Sequence, residues 1–303
     1  MTKTVLILGS SGKIGVHSAR AFSDAGWNVH KFNRSTDDLM AAAQNADVIV
    51  NGFNPPNYHD WQNIIPTFTA DVIRAAKHSG STVIIPGNVY HFGDTPGVWS
   101  EQTVPNPVSR KGRIRLEMEQ AYKASGVRTI VLRAGNFIDP NRDGCVMSMI
   151  YLRSIQKGKI TLPGPAETRQ AMCYLPDWAR AAVALAEKRT ELATFEDIPF
   201  PGNAFSADDI KQGLERILGR PLKYTRFPWP VFTLFSPIWE MARELKEMRY
   251  LWTTDHALSG EKFGRILPEF TPTDVDTVLT AALPNNLRVQ GSDVRATSIA
   301  ART

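Results

Sequence analysis

A chain of 303 residues, 43% apolar and 21% charged, has the composition of a globular protein with one large domain or two unequal ones. Its net charge of +5 comes without a long Lys/Arg run, which suits an anionic small ligand and gives no reason to expect nucleic acid. No apolar stretch of the roughly 18 residues a membrane span needs occurs, and the two cysteines and six histidines have no metal or redox spacing, so neither a metal site nor a membrane partner is expected.

The strand pattern starts at residue 4 with no signal-peptide pattern before it, so a cytoplasmic protein is expected. Val5-Leu6-Ile7-Leu8 reads as a short, fully buried parallel strand. It runs into Gly9-Ser10-Ser11-Gly12-Lys13-Ile14-Gly15, a glycine at every third position entering a helical pattern. Gly9 suits a tight turn, Gly12 a close backbone approach to a diphosphate, and Gly15 close helix–strand contact. The helix over Lys13 to Ala25, closed by Gly26, would aim its free N–H groups at that diphosphate. Ser11, Lys13 and Ile14 join the three glycines as cofactor contacts.

A second strand, Trp27 to Phe32, ends at Asn33-Arg34-Ser35, with the acids delayed to Asp37 and Asp38. An acid there would bind ribose hydroxyls; an arginine accommodates a 2′-phosphate, so Arg34 points to NADP(H) over NAD(H). A short helix (37–45) and a third strand (46–51) follow, then a two-proline loop, Gly52 to Asn57, at the strand's carboxyl end. Gly52 and Asn54 are read as cofactor contacts there. After a helix over Tyr58 to His78, strand four (81–85) runs into Pro86-Gly87-Asn88-Val89-Tyr90-His91-Phe92-Gly93. Pro86 is placed at the cofactor, and Asn88 and Tyr90 at the mouth of the same crevice. Ser109 caps a helix to Ser125, and Val127 to Arg133 form strand five.

This alternation predicts an α/β protein with a doubly wound parallel sheet, Rossmann-like, in the order 2-1-3-4-5 with later strands beside the fifth. Residues 1–135 form the dinucleotide-binding domain. From 136 to 285 a smaller carboxyl-terminal α+β lobe, interleaved with the sheet edge, is expected, with helices over 144–157, 176–188, 206–218, 230–248 and 273–283 and short strands near 171–174, 196–199 and 222–226. Residues 286–303 lack a periodic pattern and read as a flexible tail. Helices 58–78 and 109–125 are candidates for pairing across a two-fold in a homodimer. The aromatic stretch from Phe227 to Trp239 reads as a substrate-pocket wall or as lobe core; it is too short and proline-broken to span a bilayer, and the mixed charges of 240–249 speak against an interfacial anchor.

Together these segments resemble the short-chain dehydrogenase/reductase superfamily, in its extended and atypical, epimerase/dehydratase-like branches. The resemblance rests on the glycine loop, on Phe92-Gly93 after strand four, on Leu132-Arg133-Ala134-Gly135-Asn136-Phe137, and on Tyr174-Leu175-Pro176-Asp177-Trp178-Ala179-Arg180. It implies that Asn136 lies at the nicotinamide amide. It also implies a Tyr-x-x-x-Lys pair on the helix after strand four, where this chain instead has Lys111-Gly112-Arg113-Ile114-Arg115, with Asn88 at the family's serine position. A Lys-x-x-x-Arg pair is similar to isoflavone-reductase-like members, in which the lysine is general acid or base.

The residues give Lys111 some support of their own. Arg110, Lys111, Arg113 and Arg115 crowd the first turns of one helix, against its dipole, at about 0.3–1 kcal/mol each. Lys111 and Arg115 share a face, and a lysine beside an arginine at the positive helix end is set to exchange a proton near neutral pH. The expected activity is NADP(H)-dependent hydride transfer to or from a small carbonyl or alcohol substrate, with Lys111 moving the proton, Arg115 holding the nicotinamide ribose or biasing Lys111, and Asn88 and Tyr90 orienting the oxygen. The alternatives are a catalytically silent, NmrA-like redox sensor or regulator and, behind it, a sugar-nucleotide epimerase or dehydratase.

Overall fold

The computed structural model describes residues 2–55, 59–141 and 143–288. Its strands are β1 (Thr4–Leu8), β2 (Asn28–Lys31), β3 (Val48–Asn51), β4 (Thr82–Gly87), β5 (Gly97–Trp99), β6 (Thr129–Arg133), β7 (Asn136–Ile138), β8 (Lys159–Leu162), β9 (Gln170–Tyr174), β10 (Phe195–Pro199), β11 (Asn203–Phe205), β12 (Lys223–Arg226) and β13 (His256–Leu258). Its α-helices are α1 (Lys13–Asp24), α2 (Leu39–Ala43), α3 (Trp61–Ser79), α4 (Arg110–Ser125), α5 (Leu175–Glu187), α6 (Ala207–Leu218), α7 (Trp229–Phe235), α8 (Glu240–Glu247), α9 (Glu261–Ile266) and α10 (Val275–Ala282). Residues 56–58, where the expected proline loop meets the expected helix start, lie outside the described residues.

Two compact units result. The first holds the chain up to Ala134, Leu175–Pro201 and Leu258–Phe270; the second holds Gly135–Tyr174, Gly202–Ala257 and the chain from Thr271. A single cut near 135 therefore does not divide them. The reason is β10: the 196–199 strand, expected in the lobe, pairs in parallel with β6 from Phe195 against Thr129 to Pro199 against Arg133.

In the first unit six strands form one parallel sheet in the order β10-β6-β4-β3-β1-β2. Val5 to Leu8 are fully buried, as a strand covered by helices on both faces must be. Right-handed crossovers that run in opposite directions from β1 and from β3 put α1 and α3 on opposite faces. Leu6, Leu8, Ile49, Val83 and Val131 pack with Trp61, Val72, Ile114, Met118 and Tyr122 of α3 and α4. α5 packs beside α1, and the Trp178 indole of α5 donates to the Leu132 carbonyl at 3.0 Å.

The second unit has a small sheet, β11-β9-β7, and a parallel pair, β12-β8. Its core gathers Ile138, Tyr151, Met172, Leu214, Trp229, Trp252 and Leu279. The helix expected over 144–157 is instead a π-helical turn, Met147–Tyr151, and a short 3-10 turn, Ile155–Lys157. A bond from Leu152 N to Met147 O, five residues back, marks the wider turn, which buries Met147, Ile150 and Tyr151 together. The single helix expected over 230–248 is two, α7 and α8, because Pro237 lacks the N–H that would continue it. Of the tail expected over 286–303, Leu287 is buried in the lobe core and Arg288 donates to the Pro140 carbonyl at 2.7 Å, and residues 289–303 lie outside the described residues.

Candidate functional site

In an open parallel sheet, ligands bind beyond the carboxyl ends of the strands where the strand order reverses, here between β1 and β3. Two loops meet at that point. Gly9 adopts φ +70°, and Gly12 N donates back to Gly9 O at 2.8 Å, closing the turn. A Cβ on Gly15 would stand 2.2 Å from the Gly9 carbonyl oxygen, so no side chain fits there. A Cβ on Gly9 would lie 3.0 Å from the Gly52 carbonyl, and one on Gly52 2.9 Å from Ile14 Cγ2, so the β1 and β3 loops touch and Ile14 packs between them.

Gly12 is the N-cap of α1, without a side-chain acceptor and with no acid in the first turn. A glycine N-cap and a first turn without an acid suit the positive end of the helix to an anion, the requirement a dinucleotide's diphosphate sets. Ser11 is exposed beside it and Lys13 is partly buried at the first helical position.

At the end of β2, Asn33 N donates to Asp37 Oδ2 at 2.8 Å and Ser35 N to Asn33 Oδ1 at 3.1 Å. The Asn33 N–H, then the Thr36 hydroxyl, hold the Asp37 carboxyl below the usual carboxylate range. This acid serves the turn itself, which leaves Arg34 as the exposed charged side chain at its tip. The Arg34 guanidinium lies 5.1 Å from the Phe53 ring in the β3 loop.

α4 carries an unusual buried stripe. Lys111, Arg115 and Glu119, at successive four-residue steps, are 0%, 8% and 6% exposed. Ser109 caps the helix by accepting from Gly112 N at 3.0 Å, and a Cβ on Gly112 would stand 2.6 Å from the Tyr90 carbonyl oxygen, so the 90–92 turn rests directly on α4. Arg115 Nη2 donates to Asn54 Oδ1 at 2.7 Å, and its guanidinium stands 4.7 Å from the Trp61 ring. Two turns of α4 further, the Tyr122 hydroxyl accepts from Asn51 Nδ2 at 3.1 Å. Arg115, expected at the nicotinamide ribose or beside Lys111, thus braces the β3 loop, and so does Tyr122.

The loop after β4 is held from below. Asn88 Oδ1 accepts from Tyr90 N at 3.0 Å, and the Asn88 carbonyl accepts from Arg133 Nη1 at 2.5 Å. Arg133 is fully buried and donates to both oxygens of Glu119, at 2.7 and 3.1 Å, and to Asp197 Oδ2 at 2.7 Å. Its Nη1 also lies 3.2 Å from His91 Nδ1, which must accept, since guanidinium only donates. Burial, then the Arg133 charge, pushes His91 down to about 2, so the ring is neutral. Sequence reasoning missed this network, having placed Arg133 only as the last residue of the fifth strand. The signal was its partner: Glu119 continues the Lys111–Arg115 stripe by one more turn.

Pro86 lies next to last in β4, opposite Leu132, at the same edge as these loops. Asn136 belongs to the second unit, where it opens β7 opposite Met172. A groove of 580 Å³ between α3 and α4, lined by Ile65, Ala70, Ile73, Ile114, Met118 and Ala121 among others, contains none of the expected site residues. The 227–239 segment divides: Phe227 and Trp229 are core, while Val231, Leu234, Phe235, Ile238 and Trp239 are exposed. Among the described residues there is no group of three His, Cys, Asp or Glu side chains that could hold a metal ion, and no helix long and apolar enough to cross a membrane.

No family model matches the chain, and no curated protein matches it in sequence. Solved structures do. A putative epimerase from Burkholderia cenocepacia is 18% identical, with 97% of this chain and 98% of that one covered at a TM-score of 0.72. MoeE5 in complex with UDP-glucose and NAD is 15% identical over 96% of this chain and 98% of that one, at 0.71. UDP-glucuronic acid 4-epimerase from Bacillus cereus, in complex with UDP-glucuronic acid and NAD, is 15% identical over 96% and 99%, also at 0.71. The chain therefore has the doubly wound, Rossmann-like fold that these structures share.

Proposed function

We propose that this chain binds a nicotinamide dinucleotide over Gly9–Gly15 and catalyses hydride transfer to or from a small carbonyl or alcohol substrate. The observation that carries the reading is the uncapped amino end of α1, set by three glycines at the point where the strand order reverses. The NAD in solved structures of the same fold supports it. When bound, the nicotinamide supplies or accepts the hydride. Around it, Gly12 and the first turn of α1 receive the diphosphate, Gly52 and Asn54 close the other side, and Arg34 selects NADP(H) over NAD(H) by meeting a 2′-phosphate. Lys111 gives or takes the proton on the substrate oxygen, and the Asn88 amide nitrogen and the Tyr90 hydroxyl orient that oxygen.

A second reading, cofactor binding without turnover, is favoured by one observation: Arg115, half of the Lys-x-x-x-Arg pair, is engaged with Asn54 and Trp61. Two measurements separate the readings. Quenching of the seven tryptophans by NADPH and by NADH reads cofactor binding. A panel of carbonyl compounds and nucleotide sugars, run with the native chain and Lys111→Met, reads turnover. Cofactor binding with no turnover across the panel supports the silent reading, and unchanged turnover in Lys111→Met removes Lys111 from the mechanism.

A further inference from the structure

We infer that α7 and the turn leading to α8 form a docking foot for an anionic lipid surface. Val231, Leu234 and Phe235 share one face of α7, Ile238 and Trp239 follow in the turn after it, and the five are 48%, 74%, 43%, 83% and 47% exposed. Among the described residues these make up five of the eleven large hydrophobic side chains that are exposed, all within nine positions, so they form a patch and not scattered surface residues.

The foot is anchored. Phe227 and Trp229, the residues that lead into it, are 4% and 8% exposed, with their tilted rings 4.6 Å apart. The Trp229 indole donates to the Pro163 carbonyl at 2.7 Å and its ring lies 5.2 Å from Trp252. Phe232 stacks on Trp239 at 5.3 Å, which fixes the far end. The segment therefore presents its apolar side outward from a seat in the lobe core.

Charge decides what covers it. Arg153 lies 5.1 Å from the Phe227 ring and Arg249 5.1 Å from the Trp229 ring, so two guanidiniums stand at the root of the foot. Lys223, Arg226, Arg243, Lys246 and Arg249 are exposed on either side of it in sequence, whereas Glu244 is 1% exposed and sits 3.5 Å from Arg243. Among the charges of 240–249, which in the sequence spoke against an anchor, the bases Arg243, Lys246 and Arg249 are exposed, whereas Glu240 and Glu247 are half-buried and Glu244 is buried. A two-fold contact with a second copy would bring like charges together, whereas phosphate headgroups complement them. Apolar and aromatic side chains between basic flanks have the composition of an interfacial element, one that lies on a bilayer without crossing it.

The test is co-sedimentation of the full chain with vesicles of phosphatidylcholine alone and of phosphatidylcholine with phosphatidylglycerol. Binding is expected to the second and to weaken with salt. The double variant Leu234→Ser, Ile238→Ser should lose at least about tenfold in partitioning, and Lys246→Gln, Arg249→Gln should lose the preference for anionic vesicles. Circular dichroism spectra and thermal midpoints matching the native chain show that these variants fold. Absence of binding to either vesicle overturns the proposal. So does a native dimer that the serine variant converts to monomer without any vesicle binding, which would make the patch an interface between copies. Vesicle binding unchanged by the serine variant also overturns it.

Discussion

Arg133 and Glu119 meet through two parallel hydrogen bonds, 2.7 and 3.1 Å long, with the arginine side chain fully buried and the glutamate nearly so. The same guanidinium holds the Asn88 carbonyl, so this pair joins the interior of the first unit to the loop that carries Asn88 and Tyr90. Removing one partner of a buried pair strands the other charge. Glu119→Ala should lower unfolding stability by about 3 kcal/mol, the low end for such a loss, because Asp197 remains beside Arg133. Urea denaturation at neutral pH checks this; a loss within the error of the fit would show the pair to be dispensable.

His91 gives the first unit a pH dependence of known sign. Its folded value, pushed down to about 2 by burial and then by Arg133, lies below the ordinary 6.5. The stability it contributes is therefore complete above the ordinary value and is lost as pH falls from there toward about 2, at about 1.4 kcal/mol per pH unit. His91→Gln, which keeps an acceptor for Arg133, should flatten the acid side of the stability curve by that slope. Parallel curves for variant and native chain would contradict it.

Gly12 and Gly15 should fail in different ways. A Cβ at 15 meets backbone at 2.2 Å, which cannot give way, so Gly15→Ala should cost about 3 kcal/mol of stability or prevent folding. At 12 the nearest atom is Gly9 O at 3.1 Å and φ is −78°, so Gly12→Ala should fold with nearly its native melting temperature. It should nonetheless bind NADPH at least about tenfold more weakly, since the methyl occupies the surface a diphosphate approaches. Unchanged affinity in Gly12→Ala would move the cofactor away from this loop.

Arg34 is exposed at the tip of a turn that Asn33 and Asp37 hold without it. Arg34→Ala should leave the melting temperature unchanged and reduce NADPH affinity about tenfold or more, with NADH affinity little altered. Equal losses for both cofactors would point to a role at the ring of Phe53, not at a 2′-phosphate.

Arg115 and Asn54 should be coupled. A double-mutant cycle on Arg115→Ala and Asn54→Ala is expected to show an interaction of about 1–2 kcal/mol, as befits a charged hydrogen bond that is mostly buried. Additive effects would mean that the Trp61 stacking alone positions the guanidinium.

The sheet was legible because its strands are continuous apolar runs, Val5 to Leu8 above all, closed by glycines whose spacing has only a few structural explanations. The short strands β7, β8 and β11 were not, since three or four residues carry too little periodicity to separate from loop. The glycine loop and the turn at Arg34 were readable as local chemistry. The role of Arg115 was not, because its partner Asn54 is 61 positions away and only the packing of α4 on the β3 loop brings them together. Arg133 was hidden for the same reason: one partner, Asp197, is 64 positions away in a strand that the sequence assigned to the other unit.

The interleaving of the two units also bears on how the protein is made. When residue 134 has left the ribosome, five strands of the sheet are available, but β6 has a bare edge and the seat of Trp178 is empty. α5, β10 and the 258–270 segment arrive only after stretches of the second unit have been synthesised. Nascent chains therefore pass through a long interval with an open, apolar strand edge, the state in which strand-to-strand aggregation starts. Yield from cells should depend more on elongation rate and on holding chaperones than the stability of the finished fold would suggest.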